Sequence, residues 1–308
     1  MTPETIIPET VPPPLPGGAP PARGLAAKLR TTLDMIKFEH SVFALPFALT
    51  GAMLAVRGWP TGRQMLWLIV AMVGARSAAM TCNRIADLKL DALNPRTRSR
   101  ALPTGQISRR FALGFMLFSG ALLVLAAYEL NPLAFKLSPL ALAVLIAYSY
   151  TKRFTLLSHL VLGFCLGLSP VAAWIALRGN VSLSVVLLGG AVTLWTAGFD
   201  IIYACQDVDS DHALGLHSVP KRYGIRAALY ISALLHLLVL VLLLWVARRE
   251  NLGWIAMAGL VLIAFLLAYE HALVKPHDLS RVNAAFFTVN GYISILFFVT
   301  WATDILNH

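Results

Sequence analysis

Residues 226–247 read Arg-Ala-Ala-Leu-Tyr-Ile-Ser-Ala-Leu-Leu-His-Leu-Leu-Val-Leu-Val-Leu-Leu-Leu-Trp-Val-Ala, with a single formal charge, Arg226, at the start. The apolar residues run on without alternating. As a helix the stretch reaches about 33 Å, enough for roughly 30 Å of hydrocarbon. A helix satisfies its own backbone in lipid, and the lack of alternation argues against a membrane barrel. Working outward, comparable runs lie near 41–57, 64–83, 110–128, 132–151, 157–177, 181–203, 252–270 and 283–303. The sequence therefore predicts an all-α polytopic membrane protein with nine spans. Its weakest boundary falls between the third and fourth, near Pro132 and Lys136.

Composition agrees. The chain is 58% hydrophobic and only 13% charged, with a mean hydropathy of +0.72. Soluble domains run near 45–50% apolar and about 25% charged. A mainly soluble enzyme and a disordered chain are both excluded. Cys82, Cys165 and Cys205 sit in apolar runs with no CxxC, so they read as small buried hydrophobes rather than a disulfide framework.

The net charge of +10 does not indicate nucleic acid, because the basic residues occupy short loops where topology and anionic lipid account for them. Residues 1–24 hold eight prolines and no apolar run. They read as a disordered tail, neither signal nor transit peptide, ahead of one transmembrane domain over 25–308. With nine spans, one side receives 18 Lys and Arg and the other six. The positive-inside rule makes the first side cytoplasmic, together with the N-terminus, and puts the C-terminus outside. A bacterial inner membrane is the expected location.

Only 15 residues are acidic, and six fall in two places. The first is Asn83-Arg-Ile-Ala-Asp87-Leu-Lys-Leu-Asp91. The second is Tyr203-Ala-Cys-Gln-Asp207-Val-Asp-Ser-Asp211, with Asp200 one turn before it. Spacing by four stacks each trio on one helix face. The two runs lie 120 residues and four spans apart, as in a duplicated unit whose equivalent helix ends meet across one cavity.

Like charges repeated at a membrane boundary are costly and imply a bound cation. Carboxylate oxygens suit Mg²⁺, which binds through one or two carboxylates plus phosphate. The scattered histidines, with no HxxxH on a common face, argue against zinc. Cations follow each run: Arg96, Arg98 and Arg100 after the first, Lys221 and Arg222 after the second, with Lys152 and Arg153 between them beside Tyr148 and Tyr150. Acid, metal and arginine together are the chemistry of holding a diphosphate. Arg76 lies within a span, seven residues before Asn83 and on its face, placed to pair with an aspartate or meet an anionic substrate.

At these residues the chain resembles the UbiA superfamily of intramembrane prenyltransferases. The NxxxDxxxD run Asn83–Asp91 and the YxxxDxxxD run Tyr203–Asp211 carry the resemblance. So do Arg96-Thr97-x-x-Arg100-x-Leu102-Pro103-x-Gly105, Tyr150-Thr-Lys152-Arg153-Phe-Thr and His217-Ser218-Val-Pro-Lys221-Arg222-Tyr-Gly224. It covers about residues 33–303.

The resemblance implies nine helices around a central cavity with a cytoplasmic cap. It also implies Mg²⁺-dependent transfer of a polyprenyl chain from its diphosphate to an acceptor. The opening from Ile36 to Phe47 is similar to the branch labelled 4-hydroxybenzoate polyprenyltransferase or UbiA-like. That branch also serves menaquinone synthesis by the futalosine route, with a dihydroxynaphthoate acceptor. Many 4-hydroxybenzoate enzymes carry Arg directly after the first Asp; here the residue is Leu88, followed by Lys89, which leaves the acceptor open.

On this reading Asp87, Asp91, Asp207 and Asp211 hold two Mg²⁺ across the diphosphate, with Asn83 completing the first site. Lys152, Arg153, Arg100, Lys221 and Arg222 bind the diphosphate. Tyr203, with Tyr148 and Tyr150 behind it, shelters the allylic cation. Asp200 is a candidate base or acceptor contact, and Arg76 a candidate for the acceptor carboxylate. The expected partners are polyprenyl diphosphate, an aromatic acid and membrane lipid, with no nucleic acid and no obligatory protein partner. A proton- or ion-coupled transporter is the rival from another class, and a paired-Asp lipid phosphotransferase lacks its expected pattern here.

Overall fold

A computed structural model describes residues 24–36 and 44–307. The Pro-rich stretch over 1–23, and Lys37–Phe43 of the opening segment, lie outside the described residues. What is described is helical, with one isolated bridge between Lys275 and Asp278. The order is α1 (Leu25–Met35), α2 (Leu45–Val56), α3 (Gly62–Ala86), α4 (Leu88–Leu93), α5 (Arg109–Leu130), α6 (Pro132–Thr151), α7 (Ser158–Arg178) and α8 (Leu183–Ala204). A single 3₁₀ turn, Cys205–Asp207, then leads to α9 (Val208–Ala213), α10 (Val219–Arg249) and α11 (Trp254–Leu273). A π turn, Ala284–Val289, opens α12 (Asn290–Asn307).

Eight helical segments among the described residues are long and apolar enough to cross a membrane, which makes this an integral membrane protein. The first of the nine expected spans differs from the rest. Its described part is α2, whose 12 residues reach about 18 Å, less than the hydrocarbon thickness. The boundary at Pro132 is a one-residue break. Asn131 turns extended, accepts from the N–H groups of Leu133 and Ala134, and donates to the carbonyls of Ile175 and Ala176 on α7. Helix α10 starts seven residues before the run that predicted it. Gly224, at φ 80°, separates a short initial turn from the membrane stretch.

Helix α3 packs on α5, α7 on α8, α8 on α10 and α2 on α7. Gly163 and Gly167 let the α7 backbone lie against α8: a Cβ on either would strike the carbonyl of Thr193 or Gly189. Without a hydrophobic drive between helices in lipid, such close backbone contact is what associates them. Helix α8 is the centre, with 67% of its most apolar window buried against 11% for α6. Trp195 and Phe199 of α8 pack with Phe47, Phe297 and Trp301; Phe47 lies 5.0 Å from Trp195 and 4.7 Å from Phe297 between ring centres. Leu117, Phe118, Leu140, Leu237 and Phe265 face outward, as lipid requires.

The topology places the C-terminal ends of α3, α6, α8 and α11 at the same end of the bundle as the N-termini of α5, α7, α10 and α12. The short helices α4 and α9 and the loop 94–108 gather there.

Candidate active site

Both acidic runs break their helix at the middle carboxylate. Helix α3 ends at Asp87, whose φ and ψ are −89° and 4°, and α4 resumes at once. After α8 and the 3₁₀ turn, Asp207 takes −103° and 6° before α9. This is the sparsely populated bridge region where many active-site residues sit. The sequence predicted one continuous face across each trio; the structure instead kinks each run. In the first run the four-residue ladder survives the kink, with Asp87 N–H to Asn83 O at 2.9 Å and Asp91 N–H to Asp87 O at 2.7 Å.

The carboxylates are met by cations from several elements. Lys152 Nζ donates to Asp87 Oδ2 at 2.5 Å, and Arg153 donates to Asp87 Oδ1 at 3.1 Å and to the Ala86 carbonyl at 2.7 Å. The Asn83 amide reaches Asp87 Oδ2 at 3.4 Å. Arg100 Nη1 donates to both oxygens of Asp91, at 2.8 and 2.9 Å.

Arg96 crosses to the other run. Its Nε and Nη2 donate to the two oxygens of Asp207 at 2.9 and 2.6 Å, and its Nη1 to the Tyr203 hydroxyl at 3.1 Å. Burial pulls the Arg96 pKa down, but the hydrogen bonds and charge of Asp207 outweigh it and hold the guanidinium above its ordinary value. Asp211 accepts from the Ser218 hydroxyl at 2.6 Å. The next residues of that segment bind nearby groups: His217 N–H donates to the Lys152 carbonyl at 2.8 Å, and Val219 N–H to His159 Nε2 at 3.3 Å.

Not every predicted residue joins this cluster. Lys221 sends its amine to the main-chain carbonyls of Asp211 and Leu216, not to a carboxylate. Arg222 is exposed. Tyr150 lies under the Arg153 guanidinium, 5.1 Å from ring centre. Tyr148 is half-buried within electrostatic reach of Asp87 and Asp200. Arg76 is half-buried on α3, two turns before Asn83. Asp200 pairs with His159, Nδ1 to Oδ2 at 2.7 Å.

Several residues escaped the sequence reading. Arg84 is buried and donates to Met35 O and Asn83 Oδ1, tying α1 to the first run. His159 is buried in α7. The π turn brings Phe286 to 4.3 Å and Phe287 to 6.0 Å from Tyr203, between ring centres. Asn290 pins that turn, donating to Ala285 O at 3.1 Å and to Glu270 Oε1 at 2.7 Å. Ionisable Glu270, buried in a span, is the signal that could have pointed there.

The donor set fits a hard cation. It is all oxygen, and among the described residues no three His, Cys, Asp or Glu side chains converge to hold an ion unaided. Mg²⁺ is suited to such sites, because it binds one or two carboxylates and takes its remaining ligands from phosphate and water. Asp87 and Asp91, or Asp207 and Asp211, would hold it on these terms.

Comparison with known proteins identifies the family and the fold. The model of the UbiA prenyltransferase family matches residues 44–306. A protein of Methylobacillus flagellatus named 4-hydroxybenzoate octaprenyltransferase is 30% identical over 83% of this chain and 86% of its own length. A UbiA homolog from Aeropyrum pernix K1 superposes with a TM-score of 0.79 at 36% identity, covering 87% of this chain and 98% of that one. A UbiA homolog from Archaeoglobus fulgidus, solved bound to DMAPP and Mg²⁺, shares the fold at 20% identity, with a TM-score of 0.72 over 90% of this chain and 99% of that one. With both acidic runs, their cations and nearly all the described helices inside the matched region, the chain belongs to the UbiA prenyltransferase family.

Proposed function

We propose that the protein transfers a polyprenyl group from its diphosphate to a ring carbon of 4-hydroxybenzoate, with Mg²⁺, in respiratory quinone biosynthesis. The observation that carries the reading is the bridge from Arg96 to Asp207, which joins two equally kinked carboxylate runs into one polar end of a membrane bundle. The names of the relatives and the ligands of the A. fulgidus homolog support the same donor and acceptor.

In this reading nine spans surround the cavity, with the segments around α1, α4 and α9 forming a cytoplasmic cap. The cap faces the cytoplasm of a bacterial inner membrane, and residues 25–308 act as one domain. The prenyl tail stays in lipid while the diphosphate meets the polar end.

Asn83, Asp87 and Asp91 on one side, and Asp207 and Asp211 on the other, hold two Mg²⁺. The bound metal stabilises negative charge developing on the leaving diphosphate. Lys152, Arg153, Arg100 and Arg96 exchange carboxylate oxygens for diphosphate oxygens, and Tyr203 with Phe286 and Phe287 shelters the allylic cation. The apolar packing below keeps water from quenching it. Arg76 contributes the cation for the acceptor carboxylate.

One alternative acceptor is 1,4-dihydroxy-6-naphthoate, a carboxylate like the first. Leu88 packs on the apolar cluster of Met35, Ile36 and Leu102, so the position that follows Asp87 gives neither acceptor a cation and does not choose between them. A transporter reading has no comparable support, because the acids cluster at one end of the bundle.

The test is an acceptor panel on membranes containing the protein, using geranyl diphosphate with and without Mg²⁺. Prenylated 4-hydroxybenzoate that needs Mg²⁺ is the expected product. Product only with the naphthoate moves the protein to the second reading. Diphosphate release with neither acceptor modified discards both acceptors.

A further inference from the structure

His159 and Asp200 form a hydrogen-bonded pair at the polar end that involves none of the four motif aspartates. His159 lies on α7 with 6% of its side chain exposed, and Asp200 on α8 with 23%. The imidazole is held from both sides. Val219 is the first residue of α10, and its N–H is one of the helix-terminal donors that need a partner outside the helix. It donates to His159 Nε2. That nitrogen must carry a lone pair, so the neutral ring carries its proton on Nδ1 and donates it to Asp200 Oδ2.

One oxygen of Asp200 is thus fixed. Among the described residues the other, Oδ1, accepts no hydrogen bond. Asp200 is three residues before Tyr203, on the same face of α8 and one turn deeper in the bundle, and precedes the 3₁₀ turn that carries Asp207. The segment that fixes His159 is the one that binds the site: His217 holds the Lys152 carbonyl, Ser218 holds Asp211 and Val219 holds His159. Asp200 is therefore a carboxylate oriented at the deep edge of the cluster, with a lone pair to spare and no cation bound to it.

We propose that Asp200 takes the ring proton in the second half of the transfer, and that His159 is a positioning residue that aims it. The proposal rests on the aromatic acceptor named above. In the step, the prenyl C1–O bond breaks and its electron pair leaves with the diphosphate. A ring carbon gives a pair to form the C–C bond. The C–H pair at that carbon then restores aromaticity, and the proton passes to Asp200 Oδ1, from which it leaves to water.

The experiment compares ring-deuterated with ordinary 4-hydroxybenzoate in wild type, Asp200→Asn, His159→Ala and His159→Gln, and follows both prenylated product and diphosphate. A general base contributes about 10²–10⁴-fold, so Asp200→Asn should lower transfer by that order. It should also make a primary isotope effect appear where the wild type shows little, because proton loss becomes the slow step. His159→Ala should lose about 10–100-fold, the scale for a group that orients another, and show the same isotope effect. His159→Gln keeps an amide donor for Asp200 and should recover most of the loss.

A structural role for the pair would lower activity or thermal stability without exposing an isotope effect, and that result overturns the proposal. Near-normal transfer by Asp200→Asn overturns it as well. If Asp200→Asn does not fold, the isotope effect in His159→Ala decides alone. Wild-type membranes that prenylate neither acceptor overturn the acceptor reading and this proposal together; wild-type product with no isotope effect in either variant overturns this proposal only.

Discussion

The two acidic runs share a backbone and differ in what surrounds it. Each enters from a long helix, kinks at an aspartate in the bridge region and continues as a six-residue helix. Yet Asp87 is 2% exposed and held by two cations from the turn after α6, whereas Asp207 is 18% exposed and held by one, reaching across from the first run's own loop. Asp91 has an arginine nine residues on; Asp211 has a serine hydroxyl. The first run is a buried, internally balanced charge cluster. The second depends on the first, through Arg96, and on the 217–219 segment. On the proposed reading, similar geometry serves two uses: one run anchors, the other closes the site.

The largest effect that separates them is on stability. Asp87→Ala and Asp207→Ala should each lower transfer by about 10³-fold, the loss expected when a group stabilising transition-state charge is removed. Only Asp87→Ala should also destabilise the protein by several kcal/mol, because it removes the one carboxylate that balances both Lys152 and Arg153; Asp207→Ala should cost about 1 kcal/mol or less. Thermal unfolding in detergent reads the difference, and equal melting temperatures would erase the anchor-and-closure distinction.

Next in size is the bridge. A double-mutant cycle between Arg96 and Asp207 on kcat/KM should give a coupling of about 1–3 kcal/mol. Arg96→Lys should not restore it, since lysine cannot make the bidentate contact. Additive effects would mean that the two runs work independently.

A smaller effect is expected at Leu88. Leu88→Arg places a charge against Met35 and Leu102 and should cost about 1–3 kcal/mol of stability without raising the preference for 4-hydroxybenzoate. A gain in that preference would show that position 88 reads the acceptor after all. Smallest is Ser218→Ala, which removes one hydroxyl from Asp211 and should lower kcat/KM by roughly threefold to tenfold, about one hydrogen bond.

Much of this was legible in the sequence. Continuous apolar runs located eight of the nine expected spans as long apolar helices among the described residues, most of them to within a few residues, because lipid tolerates little else at that depth. Two runs of evenly spaced acid in a chain so poor in acid pointed to the cluster that the structure gathers at one end of the bundle. The kinks at Asp87 and Asp207 were not legible, since spacing by four is kept whether or not the helix bends. Nor could the choice among Arg96, Arg98 and Arg100 be read. It is set by the turn at Asn94, whose side chain accepts from Arg96 N–H and whose carbonyl accepts from Thr97 and Arg98, leaving Arg98 exposed.

His159 looked like one polar residue in an apolar run, and its partner is 41 residues away. The close crossing of α7 and α8 follows from the small residues of the Gly163-x-x-x-Gly167 spacing.

The central claim is that both runs act on one diphosphate, each through its own cation. The direct test counts bound Mn²⁺, a spectroscopic substitute for Mg²⁺, in the presence of a geranyl diphosphate analogue with sulfur at the bridging position. The account predicts two ions per protein in the wild type and one in either Asp91→Asn or Asp211→Asn. One ion in the wild type, or two retained in both variants, would contradict it.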